Sequence, residues 1–294
     1  LQSKYASIAA LAAYVAVSVY KIILLMLGKS VLWFAVAASL DHIVLAVFLL
    51  AAYFRNGGAR FSCSLSKARE LLASSGSFIL AGLMISIYAS TDRLMLKQML
   101  GAEAVGHYSL AVTISGSWAF VLAAMIDSLY PEIVRCYRED RLLYQRKNRQ
   151  LYALVLYTAL AVSVCICLAA RPFILLIYGE AYLPAVQPLR IVTWYTAFSY
   201  LGVARNAWIV CENQQRYLKY LYVGAAACNV ALNLLLIPIW GASGAAAASL
   251  ITQVATTTLL PALFRPLRPN VKLMLDAALL RGVLPEKQSN HTKE

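Results

Sequence analysis

Apolar residues run in long blocks separated by short polar stretches rich in Lys and Arg. The blocks have the length of bilayer crossings rather than the short alternation of half-buried strands. They cover residues 5–27, interrupted by Lys21; 31–54, with Asp41 and His42 near the middle; 77–98; 107–130, closed by Pro131; 151–178; and 185–210. The last stretch, Tyr220 to Phe264, is 45 residues without one charged side chain. As a single helix it would be ~67 Å long, twice a ~30 Å hydrocarbon core, so it must fold back, with Pro238 and Gly241 marking the turn. Residues 55–76 predict a linker, flexible at Asn56-Gly57-Gly58 and ending in a short amphipathic helix on the membrane surface over Ser64 to Leu72. The pattern therefore predicts an all-α fold, a polytopic helical membrane protein with about eight transmembrane helices.

The charges test the count and orient it. With the 55–76 linker on the cytoplasmic side, 19 of the 26 Lys and Arg fall on that face, whereas the opposite loops hold Lys29 alone. One missed crossing would scramble this asymmetry, so both ends are expected in the cytoplasm. Composition agrees: 61% of the 294 residues are hydrophobic and 13% charged, which excludes an ordinary soluble domain. The net charge of +13 would point to nucleic acid in a soluble protein; between apolar runs it reads as a topology determinant, and no nucleic-acid partner is expected. The six Cys form no CxxC pair and lie near no His at ligand spacing, so no metal site, disulfide framework or cofactor is expected. No nucleophile, zinc or phosphate-loop motif is present and no extramembrane segment exceeds about 30 residues, so an enzyme is not expected.

Ionisable groups inside a crossing cost at least ~2.5–3.5 kcal/mol each when exposed to lipid, so they should face a polar cavity or a partner. Lys21, Lys97 and Arg190 lie near enough to span ends to reach an interface. Asp92 and Arg93 point about 100° apart on a helix, Arg93 sharing a face with Ser86, Ser90 and Lys97, and Asp92 sharing one with Tyr88. Either Arg93 lines a cavity while Asp92 engages a neighbouring helix or a coupling ion, or both belong to a hydrogen-bonded helix end. Arg205 and Asn206 continue a polar stripe with Tyr195, Ser199 and Gly202; Arg205 either grips phosphate through its two-pronged guanidinium or anchors in headgroups. Asp41 and His42 form a protonatable pair or a clamp between helices. Asp127 shares a small, slightly polar stripe with Thr113, Gly116, Ser117 and Ala124. Asn229 and Asn233, one turn apart, and the small residues Gly244 to Ala248 read mainly as helix packing.

Four passages resemble a known family. They are Ile87-Tyr88-Ala89-Ser90-Thr91-Asp92-Arg93-Leu94-Met95-Leu96 with Gly101-Ala102-Glu103-Ala104-Val105-Gly106-His107-Tyr108-Ser109; Ser128-Leu129-Tyr130-Pro131-Glu132-Ile133; Arg171-Pro172-Phe173 to Tyr178-Gly179-Glu180-Ala181-Tyr182; and Asn229, Asn233, Ile237-Pro238-Ile239-Trp240-Gly241 with Gly244 to Ala248. In this order they resemble Wzx-type oligosaccharide flippases, the polysaccharide biosynthesis proteins of the multidrug/oligosaccharidyl-lipid/polysaccharide exporter superfamily.

The resemblance implies part of a two-lobe, MATE-like transporter: residues 1–54 as the last two helices of the N-terminal lobe, 55–76 as the interlobe linker, 77–264 as a six-helix C-terminal lobe, and 265–294 as a basic cytoplasmic tail. Four further helices are expected before Leu1. The implied activity is translocation of a polyprenyl-diphosphate-linked oligosaccharide across the bacterial inner membrane by alternating access, coupled to a cation gradient. Arg93, Arg205 and Asn206 would bind substrate; Asp41, His42, Asp92 and Asp127 would couple ions or line the cavity. The implied partners are the lipid-linked glycan, the lipid bilayer and, within the assembly machinery, polysaccharide polymerase and chain-length proteins. The alternatives are a cation-coupled multidrug exporter of the same fold and a non-transporting scaffold of that machinery.

Overall fold

A computed structural model describes residues 3–55 and 64–283. The Asn56-Gly57-Gly58 segment of the expected linker and the end of the basic tail lie outside them. The described residues contain helices and no strand: α1 (Ser3–Met26), α2 (Val31–Arg55), α3 (Leu65–Leu100), α4 (Ala102–Gly116), α5 (Ala119–Glu139), α6 (Arg141–Tyr178), α7 (Val186–Cys211), α8 (Leu218–Trp240), α9 (Ala242–Val254), a π turn (Ala255–Leu259), α10 (Leu260–Leu263) and α11 (Arg268–Ala278). Five stretches are long and apolar enough to cross a membrane: Leu32–Arg55, Ala102–Glu139, Arg141–Tyr178, Gln215–Trp240 and Ala242–Leu263; Ala10–Met26 is apolar but shorter. The chain is an all-α, multi-pass membrane protein. α3 and α7 occupy two further expected crossings and carry the charged pair Asp92-Arg93 and the polar pair Arg205-Asn206.

The helices differ from the sequence expectation at three places. Ser64 to Leu72 is not a separate surface helix: α3 runs unbroken from Leu65 through Gly76 to Leu100. No Pro interrupts it, and each of its two interior glycines, Gly76 and Gly82, costs only ~1 kcal/mol. Pro131 does not end the fourth crossing. α5 continues past it to Glu139, because the turn beyond buries Ile133 and Cys136, and the chain bends instead at Ser117-Trp118, between α4 and α5. Pro238 likewise sits inside α8, and the reversal falls on Gly241 at φ 58°, a conformation that favours glycine.

The chain divides into two compact units, residues 1–73 and 74–294. In the first, α1 and α2 pair around Ala13, Val17, Leu24 and Ala37 while Leu25, Met26, Leu32 and Val47 stay exposed, as suits helices facing an apolar phase. The second has two apolar clusters. One gathers Leu122, Ile126, Tyr144, Leu151, Tyr152, Ala204 and Trp208; the other gathers Leu96, Tyr108, Ile174, Leu189, Val192, Ile237 and Ala245. α7 contributes to both, so its middle lies between them. The expected basic tail belongs to this unit: α11 packs on α6 by burying Val271, Leu273, Met274 and Ala277, and Asn270 Nδ2 donates to Tyr152 Oη at 2.6 Å.

α8 and α9 approach closely at Gly244, where an added Cβ would overlap the carbonyl oxygen of Leu236, a backbone atom that cannot turn aside. Gly244→Ala should therefore cost about 1–3 kcal/mol and lower the thermal midpoint of the purified protein. Gly106→Ala, in open space on α4, should be neutral or slightly stabilising in the same melt. Equal midpoints for the two variants would refute the close approach.

Candidate functional site

Asp92, on α3, is buried at 6% exposure. Its carboxylate accepts four hydrogen bonds from three other helices. Tyr108 Oη on α4 donates to Oδ2 at 2.6 Å, and the Ser249 hydroxyl on α9 donates to the same oxygen. Asn229 and Asn233 Nδ2 on α8 donate to Oδ1 at 3.0 and 2.7 Å, and Asn233 Nδ2 also donates to Asn229 Oδ1 at 3.0 Å. Both Asn side chains are fully buried, and Asn233 Oδ1 has no partner.

All four donors are neutral. Among the described residues the ion pairs are Arg135–Glu139, Arg141–Glu212 and Lys147–Glu132, and none reaches Asp92. Four hydrogen bonds hold the carboxylate in place but do not cancel its charge, and an uncompensated buried charge costs several kcal/mol. The groups that face it are two amide N–H donors and two hydroxyls, each spending a hydrogen on the carboxylate oxygens. No group of three His, Cys, Asp or Glu is placed to hold a metal ion among the described residues.

Beside this network lies a cavity of about 330 Å³ whose wall includes Asp92, Arg93, Tyr108, Ser115, Tyr195, Thr196, Ser199 and Ser249. Ser115 Oγ lies 2.9 Å from Thr196 Oγ1, tying α4 to α7. A second cavity, about 210 Å³, has Tyr195 and Ser199 in common with the first and extends along α7 past Gly202 to Arg205 and Asn206, with Tyr222, Gln253 and Thr256 opposite. The two adjoin along one face of α7 as a mostly apolar cleft set with hydroxyl, amide and guanidinium groups. The residues spaced i, i+4, i+7 and i+11 from Tyr195 supply its face, while the opposite face of α7 joins the apolar clusters.

Arg205 is not a headgroup anchor. It is 4% exposed, Nη1 donates to the carbonyl of Thr256 at 3.1 Å within the π turn, and Nε is buried without a partner. π turns interrupt the regular helical ladder, so a side chain can reach a main-chain oxygen there. Thr257 Oγ1 donates to the Phe198 carbonyl at 3.1 Å, joining the same turn to α7. Arg93 is exposed on the wall of the first cavity.

The remaining sequence candidates lie elsewhere. Asp41 is half-buried and His42 exposed on α2, in the first unit. Asp127 is exposed on α5 and lines neither cavity. The side chains of Ser86 and Tyr88, expected on the faces of Arg93 and Asp92, lie outside the described residues. Arg190 Nε donates to the Cys167 carbonyl on α6 at 3.2 Å. Asn229 and Asn233, expected to bond and pack between helices, do so by donating to the Asp92 carboxylate. Tyr108 stands in the first family-like passage, whereas the sequence signal of Ser249 is its polarity inside an apolar run.

Residues 1–137, just under half of the chain, match the family model described as polysaccharide biosynthesis protein. The match supports membership of the polysaccharide biosynthesis family. No curated protein and no solved structure matches the chain. The family segment includes Asp92, Arg93 and Tyr108, whereas Arg205, Asn229, Asn233 and Ser249 lie beyond it. For a multi-pass membrane protein, a match to this family supports a role in the synthesis or transport of polysaccharide.

Proposed function

We propose that this polysaccharide biosynthesis protein is a flippase that carries a polyprenyl-diphosphate-linked oligosaccharide across the bacterial inner membrane, and that it does so by binding and release rather than by chemistry. The observation that carries the proposal is the pair of guanidinium groups set in the cleft of α7, Arg93 in one cavity and Arg205 in the other, between two apolar clusters. A diphosphate entering a low-dielectric region needs fixed cations, and guanidinium groups receive phosphate oxygens two at a time. Asn206 and the Ser and Tyr hydroxyls of the same face suit sugar hydroxyls. Asp92, held by four helices yet not neutralised by any of them, supplies the coupling site: binding a proton or alkali cation there removes a buried charge and favours whichever arrangement of α3, α4, α8 and α9 binds it better.

The direct test is complementation. The full-length gene product should restore surface polysaccharide to a strain lacking its flippase and should not raise drug resistance in an exporter-deficient strain. The reverse outcome would favour a cation-coupled drug exporter, for which the unneutralised Asp92 beside the cleft is the supporting observation. In the proposed topology, with both ends cytoplasmic, single Cys at Ala102 or Ser243 should react with an impermeant maleimide applied to intact cells. Single Cys at Glu139 should react only after permeabilisation, and labelling of Glu139 in intact cells would invert the map.

A further inference from the structure

A third cavity, about 360 Å³, lies outside the α7 cleft, where the first turns of α6 meet the end of α7, the turn after it and α11. Its size falls within the ~300–1,000 Å³ of small-molecule sites. α6 is 38 residues long, about 57 Å, so its polar start extends well beyond a ~30 Å apolar layer. The cavity is built around that start, on the cation-rich face.

Two polar atoms at this cavity lack partners. Arg149 Nε and Gln214 Oε1 are buried without a hydrogen bond, while the Tyr144 hydroxyl, on a side chain 1% exposed, meets the Cys211 thiol. Buried polar atoms normally find partners, so two beside one hollow indicate a missing one. Lys272 and Asp276, one turn apart on α11, complete the wall. Arg141 is already matched by Glu212 at 2.6 Å, so it neither adds to nor subtracts from the charge available. The uncommitted donors are thus a guanidinium N–H and an ammonium; the uncommitted acceptors are an amide oxygen and a carboxylate.

This combination has a chemical complement. Phosphate oxygens would satisfy Arg149 and Lys272 but would leave Gln214 and Asp276 without donors. Hydroxyl groups carried beside the phosphate would supply them. We propose that the cavity binds a polyol phosphate, either the headgroup of a phospholipid such as phosphatidylglycerol or a soluble sugar or glycerol phosphate. Occupancy ties α11 to the ends of α6 and α7, and it requires nothing of the α7 cleft.

Trp208 lies in the cavity wall and reports on it. The chain is placed in phosphatidylcholine nanodiscs and its tryptophan emission followed in two arms, titration with glycerol 1-phosphate and replacement of part of the lipid by phosphatidylglycerol. A saturable change in the first arm identifies a soluble ligand, and one in the second arm alone identifies the lipid. In the responding arm, Arg149→Gln and Lys272→Gln should each weaken the response about tenfold. Lys272 is exposed, so its variant tests the site even where Arg149→Gln fails to fold. Arg265→Gln, equally basic and exposed but outside the cavity, should change nothing. No saturable response in either arm overturns the proposal. So does a response that Lys272→Gln leaves intact, or one that Arg265→Gln weakens as much, since general attraction to a basic surface would then explain it.

Discussion

Asp92→Asn should abolish coupled transport while leaving the protein in the membrane at near-normal abundance. Asn fills the same volume and keeps one acceptor oxygen, and the Ser249 and Tyr108 hydroxyls can rotate to accept from its amide, so the four-helix junction keeps most of its hydrogen bonds. The variant loses the negative charge. Removing one partner of a buried charge interaction typically costs ~2–5 kcal/mol, so transport should fall by roughly 30-fold or more. The measurements are surface polysaccharide in a flippase-deficient strain and uptake of the lipid-linked substrate into vesicles with and without an imposed proton or sodium gradient. The gradient should stimulate the unmodified protein and have no effect on the variant. A variant that still responds to the gradient would show that Asp92 is a structural clasp alone. Asp127→Asn, away from both cavities, should retain transport and gradient dependence.

Arg205→Gln should reduce transport of an anionic lipid-linked substrate by a similar factor, and Arg93→Gln should do so from the other end of the cleft. Gln can still donate to the Thr256 carbonyl, so the expected stability loss at Arg205 is limited to about 1–3 kcal/mol and should appear as a lower melting point rather than as absent protein. Lys at either position should restore transport only in part, because it carries the charge without the planar fork that takes two phosphate oxygens together. Surface polysaccharide normalised to protein abundance is the readout. If both Gln variants transport normally while Asp92→Asn does not, the substrate is not gripped through phosphate, and the drug-exporter reading replaces the flippase.

Sequence alone carried the class of fold and much of the site's inventory, for reasons that lie in the bilayer. A membrane forces the backbone to satisfy its own hydrogen bonds and charges to face inward, so apolar run lengths announce helices and rare ionisable residues announce function. Asp92, Arg93, Arg205 and Asn206 were legible on those grounds, and helical periodicity placed Tyr195, Ser199, Gly202 and Asn206 on one face of α7. Helix ends were less legible where proline was the signal: Pro131 and Pro238 lie inside helices because the flanking turns have partners to pack against, which a local rule does not see. What only the tertiary structure decided is which groups meet. Asp92 is separated from Asn229, Asn233 and Ser249 by 137, 141 and 157 positions, so no local pattern could join them. Spacing placed Asn229 and Asn233 on one face as residues that bond between helices, but it gives a face and not its neighbour, so Asp92 as their partner came from the tertiary structure. Asp127 looked equivalent to Asp92 for the same reason, yet one carboxylate is exposed on α5 while the other is enclosed by four hydrogen bonds. Spacing along a helix fixes direction; burial and partnership depend on the helices that pack against it.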